Sequence, residues 1–373
     1  MTLSNNDILW ITDLAKPERE KGYTRTFYSY PAKFLSKLPH GLIKRFSKKN
    51  DLVFDPFVGG GTTGLETMLL ERQFIGYDLN PFAIMVSNVK TTYLNSETLQ
   101  VHLNSILTQQ KKLFEPKFDV LDKGDKICLG TKISHEINSL IESISINSQK
   151  IPFRQFFELA LIHSIKIVGR RDFELKKNWK YASIIPIFER KARKMIQEIS
   201  SLPKNLKFIP VFKLASNHQV ELERNSVDLI VTSPPYKDKD VEYQQIQIQR
   251  RTLHRSKRSN VISAILRTTP LPKNTLCGGL GANYWKNSLK SLKECYRVLK
   301  PHKFAFYWTG FKNLSDLKHF ENQLDTVGFD LITTIQVKLS DDRAASGRST
   351  HHGRSTGMMS HDYLFITKKK IIF

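Results

Sequence analysis

Apolar positions along the chain change their spacing from one segment to the next, and the spacing predicts the elements. Residues 51–55 (Asp-Leu-Val-Phe-Asp) are a short apolar run ending in Asp55-Pro56-Phe57 and three glycines, which predicts a buried strand entering a tight turn. Leu65, Met68 and Leu69 then follow at helical spacing over 62–72. Residues 73–77 predict a second strand, closed by Asp78, and Pro81 opens another helix, where the first turn tolerates proline. Strand, glycine turn, helix, strand and acid together make half of a doubly wound α/β sheet. From Ser96 to about Asn205 the pattern turns mostly helical, with helices predicted over 154–168 and 188–199. The alternation resumes with strands at 208–214, 227–232 and 303–308, helices at 283–300 and 314–327, and a final antiparallel pair at 329–336 and 363–367. The sum is seven strands with one long insertion after the second.

Two turns carry candidate chemistry. The first is Asp55-Pro56-Phe57-Val58-Gly59-Gly60-Gly61-Thr62-Thr63, between a strand and a helix. Glycines there let backbone approach a ligand, and the helix N-terminus offers free N–H groups. No Lys-Ser/Thr follows the glycines, so this is no phosphate loop, and it is not Gly-x-Gly-x-x-Gly either. Asp78, at the tip of the next strand, suits the two hydroxyls of a ribose. The plain alternative is a structural turn with a helix cap. The second turn is Thr232-Ser233-Pro234-Pro235-Tyr236, directly after an apolar strand. The prolines stiffen the backbone and donate nothing, so the Pro234 carbonyl and the Ser233 hydroxyl become positioned acceptors. Tyr236 offers a flat ring beside them, on which a base could stack while its exocyclic amine donates to those acceptors. A proline-stiffened loop with a buried tyrosine is the plain alternative.

Charge then narrows the partners. The 373 residues hold 58 Lys+Arg against 35 Asp+Glu, a formal net charge of +23. Such a surplus repels itself and suits a polyanion, with nucleic acid the commonest, and it predicts salt-sensitive binding. A generally basic proteome is the bland alternative. Arg250, Arg251, His254, Arg255, Lys257 and Arg258 cluster just beyond the second turn and are the favoured DNA contacts. Lys176, Lys177, Arg190, Lys191, Arg193 and Lys194 in the insertion compete with them, as do Arg343, Arg348 and Arg354. Cys128, Cys277 and Cys295 form no zinc or disulfide spacing, and His351, His352 and His361 lack a completing ligand, so no metal is expected. Met1 to Glu20 has no basic-then-apolar order and no apolar run spans a bilayer, so no leader and no membrane partner are expected, and the simplest compartment is cytoplasmic.

The two turns resemble those of the amino-methyltransferases of DNA, enzymes that use S-adenosylmethionine. Ser-Pro-Pro-Tyr is typical of the cytosine-N4 type, and Asp-Pro-Pro-Tyr of the adenine-N6 type. Residues 27–34, with Tyr-Pro-Ala-Lys-Phe, and Tyr296-Arg297-Val298-Leu299-Lys300-Pro301 also resemble relatives. The likeness covers about 23–95 and 207–370. It implies a Rossmann-like seven-stranded α/β sheet with a mostly helical insertion. The domains would be 1–95, the first half of the cofactor domain; 96–205, a candidate target-recognition insertion; and 206–373, the second half, with a basic loop at 237–282. Phe57, Gly59, Gly61 and Thr62 would line the cofactor's methionine and sugar, Asp55 would lie near its amino group, Asp78 would hold its ribose, and Tyr30 and Lys33 would border the pocket. Ser233, Pro234, Pro235 and Tyr236 would hold the target base, and the methyl would pass directly to its nitrogen. The partners implied are double-stranded DNA and a cognate restriction endonuclease. Where relatives often carry Gly-Asp for the cofactor's adenine, this chain has Ala215-Ser216-Asn217. The glycine turn precedes Ser-Pro-Pro-Tyr, the reverse of many cytosine-N4 enzymes. Adenine-N6 transfer, guanine-N2 transfer to tRNA, and a non-catalytic nucleic-acid-binding protein are the alternatives.

Overall fold

The computed structural model describes residues 3–16, 22–28, 30, 34–113, 115–169, 183–237, 246–249, 256–267, 283–311, 313–338 and 361–370. Seven strands form one sheet: β1 (Leu52–Asp55), β2 (Gln73–Asp78), β3 (Val211–Leu214), β4 (Leu229–Thr232), β7 (Phe304–Gly310), β8 (Phe329–Lys338) and β9 (His361–Lys369). Their order is β3-β2-β1-β4-β7-β9-β8. The first five are parallel, and β9 runs antiparallel between β7 and β8. All seven predicted strands are present.

The central strands are buried on both faces, which is why they read as apolar runs. Val53, Leu229, Val231, Phe306 and Trp308 face one core. Their neighbours Phe54, Ile230, Ala305 and Tyr307 face the other. Helices α1 (Asn5–Leu14) and α2 (Lys37–Phe46) cover the first face through Ile11, Leu14, Leu42 and Phe46. Helices α11 (Asn283–Val298) and α12 (Leu314–Val327) cover the second through Leu292, Phe320 and Leu324. The α11 end is closed by Lys369, whose Nζ donates to the carbonyls of Tyr296 at 2.6 Å and Leu299 at 2.7 Å. A cation on the last carbonyls of a helix opposes the negative end of its dipole.

Helices α3 (Thr62–Leu69) and α4 (Pro81–Thr91) follow β1 and β2. The insertion adds α5 (Ser96–Lys112), α6 (Lys123–Leu129), α7 (Thr131–Asn147), α8 (Ile151–Gly169) and α9 (Ile185–Ile199). One continuous core joins these helices to the cofactor half: Leu65, Phe82 and Val86 pack in the same cluster as Leu103, Ile137, Phe157 and Met195. The stretch expected as a basic loop at 237–282 holds an antiparallel pair, β5 (Ile246–Gln249) and β6 (Ser256–Ser259), and a short helix α10 (Val261–Leu266). The alternation of Ile246 and Ile248 with glutamines is a period-two signal that the nearby basic residues obscure. The Ser259 hydroxyl donates to Asp125 Oδ2 at 2.8 Å, which ties this pair to the insertion.

Candidate active site

Strand order reverses between β1 and β4, and in such sheets ligands bind beyond the carboxyl ends of the strands at that reversal. β1 ends in Asp55 and β4 in Thr232, so the two turns identified in the sequence leave the sheet side by side. They are joined directly: Thr232 Oγ1 donates to Asp55 Oδ1 at 2.6 Å. The Phe57 N–H donates to the same oxygen at 3.0 Å. Burial pushes the Asp55 carboxyl up to about 6, against the pull of its bonds from Thr232, Phe57 and Thr63.

The glycine turn has two residues in the left-handed region, Gly59 at φ 51° and Gly61 at φ 71°. A Cβ on Gly61 would lie 2.6 Å from Ser87 Oγ and 2.8 Å from Ser87 Cα, so only glycine lets α3 begin this close to α4. Thr62, buried, is the first residue of α3, and Phe57, earlier in the turn, is partly exposed. Asp78 braces the turn from β2. Its Oδ2 accepts the Gly59 N–H at 2.9 Å and its Oδ1 the Asn80 N–H at 2.8 Å. The residue is partly exposed but its carboxyl is enclosed, and burial, with a smaller push from the Asp55 charge, raises it to about 6. With a further backbone bond from Leu79, three of its about four lone-pair sites are taken, so Asp78 retains capacity for one more hydroxyl donor. This donor set and this cradle fit an adenosyl cofactor.

Tyr30 lies against the turn, its Cε1 3.6 Å from the position of a Gly59 Cβ, and its hydroxyl accepts from Asn80 Nδ2 at 2.9 Å. Lys33 lies outside the described residues. The segment carrying Tyr30 is pinned to α3 and α4. Arg25 grips the buried Glu66 with Nε at 2.7 Å and Nη2 at 2.8 Å, and Thr24 Oγ1 donates to the Lys90 carbonyl at 2.6 Å. Burial pushes Glu66 up, but bonds from His40 and Arg25 outweigh it and hold the carboxyl below its ordinary value. One contributor, Lys90, had no sequence signal. Lys90 is buried and its Nζ donates to the Gly60 carbonyl at 2.7 Å; burial lowers it to about 8, with Glu66 opposing. Asn217 is buried and donates to the Pro56 carbonyl at 3.0 Å. Asn217 thus supports the glycine turn from β3's far end, while Ser216 Oγ accepts from the His218 N–H at 3.2 Å.

In the second turn Ser233 and Pro235 are partly exposed, and Pro234 and Tyr236 are buried. The Pro235 carbonyl accepts from the Tyr284 hydroxyl at 3.1 Å. The Tyr236 hydroxyl donates to Asp362 Oδ1 at 3.1 Å, and Trp308 Nε1 donates to Asp362 Oδ2 at 3.0 Å. Asp362 reaches the site because β9 runs against the parallel strands, so its start lies where they end, with Asp362 opposite Gly310. No local pattern announces this residue, which stands far along the chain from both turns.

The basic residues are brought together less fully. Arg250, Arg251, His254 and Arg255 lie outside the described residues, while Lys257 and Arg258 sit on β6, opposite Ile248 and Gln247. Lys176, Lys177, Arg343, Arg348 and Arg354 also lie outside them. On α9, Lys191 turns inward and donates to the Thr26 carbonyl at 3.3 Å, Arg193 pairs with Glu189 at 2.7 Å, and Lys194 with Glu198 at 3.6 Å. Lys191 is therefore a buried structural cation rather than a phosphate contact. Among the described residues there is no group of three or more His, Cys, Asp or Glu that could hold a metal, and no helix long and apolar enough to cross a membrane. His351 and His352 lie outside the described residues, and His361 opens β9.

The comparisons with known proteins agree with the glycine turn. The DNA methylase family model, which covers N6 and N4 types, matches residues 4–88. The type II methyltransferase M.BglI of Bacillus subtilis is 38% identical over 101 residues, 26% of this chain and 29% of the relative. M.MjaII of Methanocaldococcus jannaschii is 30% identical over 99 residues, 26% of this chain and 18% of the relative. M.PvuII of Proteus hauseri is 32% identical over 94 residues, 21% of this chain and 27% of the relative. Each match spans less than a third of the relative's own length. Over residues 4–88, which hold the glycine turn and Asp78, this chain is similar to the DNA methylase family.

Proposed function

We propose that this chain is an S-adenosylmethionine-dependent DNA methyltransferase that methylates the N4 amine of cytosine in double-stranded DNA. The observation that carries the reading is the Thr232–Asp55 hydrogen bond, which locks the start of the base turn to the start of the glycine turn at the sheet's reversal point. Phe57, Gly59, Gly61 and Thr62 would hold the methionine and sugar, Asp78 the ribose hydroxyls, and Tyr30 the outer wall. When bound, S-adenosylmethionine supplies an electrophilic methyl on a positively charged sulfur, which the amine nitrogen takes with release of the thioether and a proton. The protein's own part is to orient. The Ser233 hydroxyl and the Pro234 carbonyl would accept the amine's hydrogens, and Tyr236 would stack on the base, so the lone pair faces the methyl. The base must leave the duplex to reach this turn, and the basic residues 250–258 would grip the strand around it.

Ser233 in place of aspartate before the prolines favours cytosine over adenine. The type II methyltransferase names of the relatives support a restriction-modification setting, from which a nuclease of the same target and a cytoplasmic location would follow. The test is methyl transfer from labelled S-adenosylmethionine to unmethylated duplex DNA, to tRNA and to no acceptor in parallel, with the modified nucleoside identified by mass spectrometry. N4-methylcytosine in DNA is the expected product. N6-methyladenine would move the reading to the other base, and label on tRNA alone would overturn it.

A further inference from the structure

Asp362 is a buried carboxylate, 3% exposed, to which the reaction as derived above gives no task. Its surroundings are aromatic: Trp308 on β7, itself 6.2 Å from the Phe34 ring, and Tyr236 from the turn after β4. A carboxylate in such a place costs stability unless hydrogen bonds offset its desolvation. A phenylalanine at 236 with an apolar residue at 362 would fill the same space without that cost. The arrangement instead brings three polar groups from three separate segments to one point. One oxygen takes the Tyr236 hydroxyl at 3.1 Å, and the other takes the Trp308 indole N–H at 3.0 Å. A ring fixed only at its Cβ turns about two torsions; a ring fixed also at its hydroxyl does not. The second bond matters as much, since it holds the acceptor on the sheet.

We infer that Asp362 is a positioning residue for the target base: it holds the Tyr236 ring by its hydroxyl and is itself held by Trp308. The inference rests on the proposed role of Tyr236. It assigns to the antiparallel strand β9 a share of the site that otherwise belongs to β1, β2 and β4. Asp362 touches neither base nor cofactor, so its effect passes through Tyr236.

A double-mutant cycle on the full chain tests this, with Asp362→Asn, Tyr236→Phe and the pair. Loss of a charge-assisted hydrogen bond predicts a fall of about ten- to a hundredfold in kcat/KM for DNA in each single variant. Affinity for S-adenosylhomocysteine should stay at the wild-type value in both. The pair should be no worse than the worse single variant within a factor of about 2, because both remove one bond. Losses that multiply, or Asp362→Asn at wild-type activity, overturn the inference while leaving the functional reading standing. If Asp362→Asn melts too low to assay, Tyr236→Phe decides alone: it keeps the ring and removes the hydroxyl, and wild-type activity there overturns the inference. Wild-type protein that transfers no methyl to any duplex DNA overturns the functional reading, and this inference with it.

Discussion

The glycine turn and the Ser-Pro-Pro-Tyr turn leave neighbouring strands and meet at Asp55 and Thr232, yet they are held in different ways. The glycine turn is braced mainly by groups close to it in the chain: Asp78 on the Gly59 N–H, Lys90 on the Gly60 carbonyl, and Ser87 against Gly61. Asn217 and Thr232 are the exceptions, reaching the turn from far along the chain. The Ser-Pro-Pro-Tyr turn is braced by side chains distant in sequence: Tyr284 on the Pro235 carbonyl, and Asp362 on the Tyr236 hydroxyl, 126 residues away. The difference teaches that one half of the site is a nearly self-contained βαβα unit, with its shape set by backbone conformation. The other half is assembled only when the whole sheet closes.

The sharpest way to break this comparison is at Gly61. Gly61→Ala puts a Cβ into Ser87 backbone at a φ that alanine disfavours, for an expected cost of about 2–4 kcal/mol. Thermal melting should show the loss, and calorimetry should show binding of S-adenosylhomocysteine weakened beyond detection. Gly59→Ala is the milder companion, since its Cβ would meet Tyr30 at an ordinary 3.6 Å and bear only the backbone strain. Equal losses in both would mean that conformation, and not the approach of α4, dominates the turn.

Tyr236→Ala comes next and probes the other half. Methyl transfer should fall by about a hundredfold or more through lost stacking, while cofactor affinity persists. A parallel loss of cofactor binding would show that the two turns act as one unit.

A third probe is pH. Burial raises Asp78 from 3.8 to about 6, so the folded chain keeps a proton there that the unfolded chain has released between those values. Its contribution to stability is therefore full below 3.8 and is lost as pH rises through 6. The carboxylate, the better acceptor for ribose hydroxyls, prevails only above about 6. Cofactor affinity should fall by about tenfold per pH unit below about 6. In Asp78→Asn the affinity should be weak and flat over that window. A slope that survives in Asp78→Asn assigns the titration to Asp55, which burial also raises to about 6.

The smallest effect is at Lys90. Its value is lowered by burial from 10.5 to about 8, so the folded chain binds fewer protons than the unfolded one between those limits, and stability rises with pH across them. Lys191 and Lys369 are lowered to about 8 as well. Lys90→Met should therefore reduce that slope, read as melting temperature between about pH 8 and 9, before the buried Cys295 thiol, raised from 9.0 to about 12, opposes it. A slope unchanged in the variant would mean that Lys90 is not the buried cation the turn leans on.

The elements that can be read along the chain are those whose signal is local. Strands buried on both faces show as apolar runs, so 51–55, 227–232 and 303–308 are legible from residue order alone. A left-handed turn against a neighbouring helix requires glycine, so Gly59 and Gly61 are legible too. The short helices α1 and α2, whose apolar faces meet a sheet that the first fifty residues do not contain, are not. Neither is the β5–β6 pair, where the density of basic residues masks an alternating pattern.

Residue type, spacing and backbone preference are enough to locate two turns and an acid, because each acts through its own backbone or its immediate neighbours. They cannot tell which basic residue faces inward: Lys191 resembles its neighbours on α9 in every local respect, and packing alone places it beneath Thr26. Nor can they find Asp362, Trp308 and Tyr284 beside the base turn. Trp308 comes there because β7 pairs with β4, Tyr284 because α11 packs on the sheet, and Asp362 because of the pairing that sets β9 antiparallel between β7 and β8. That pairing depends on contacts between distant stretches of chain, which only the closed sheet decides.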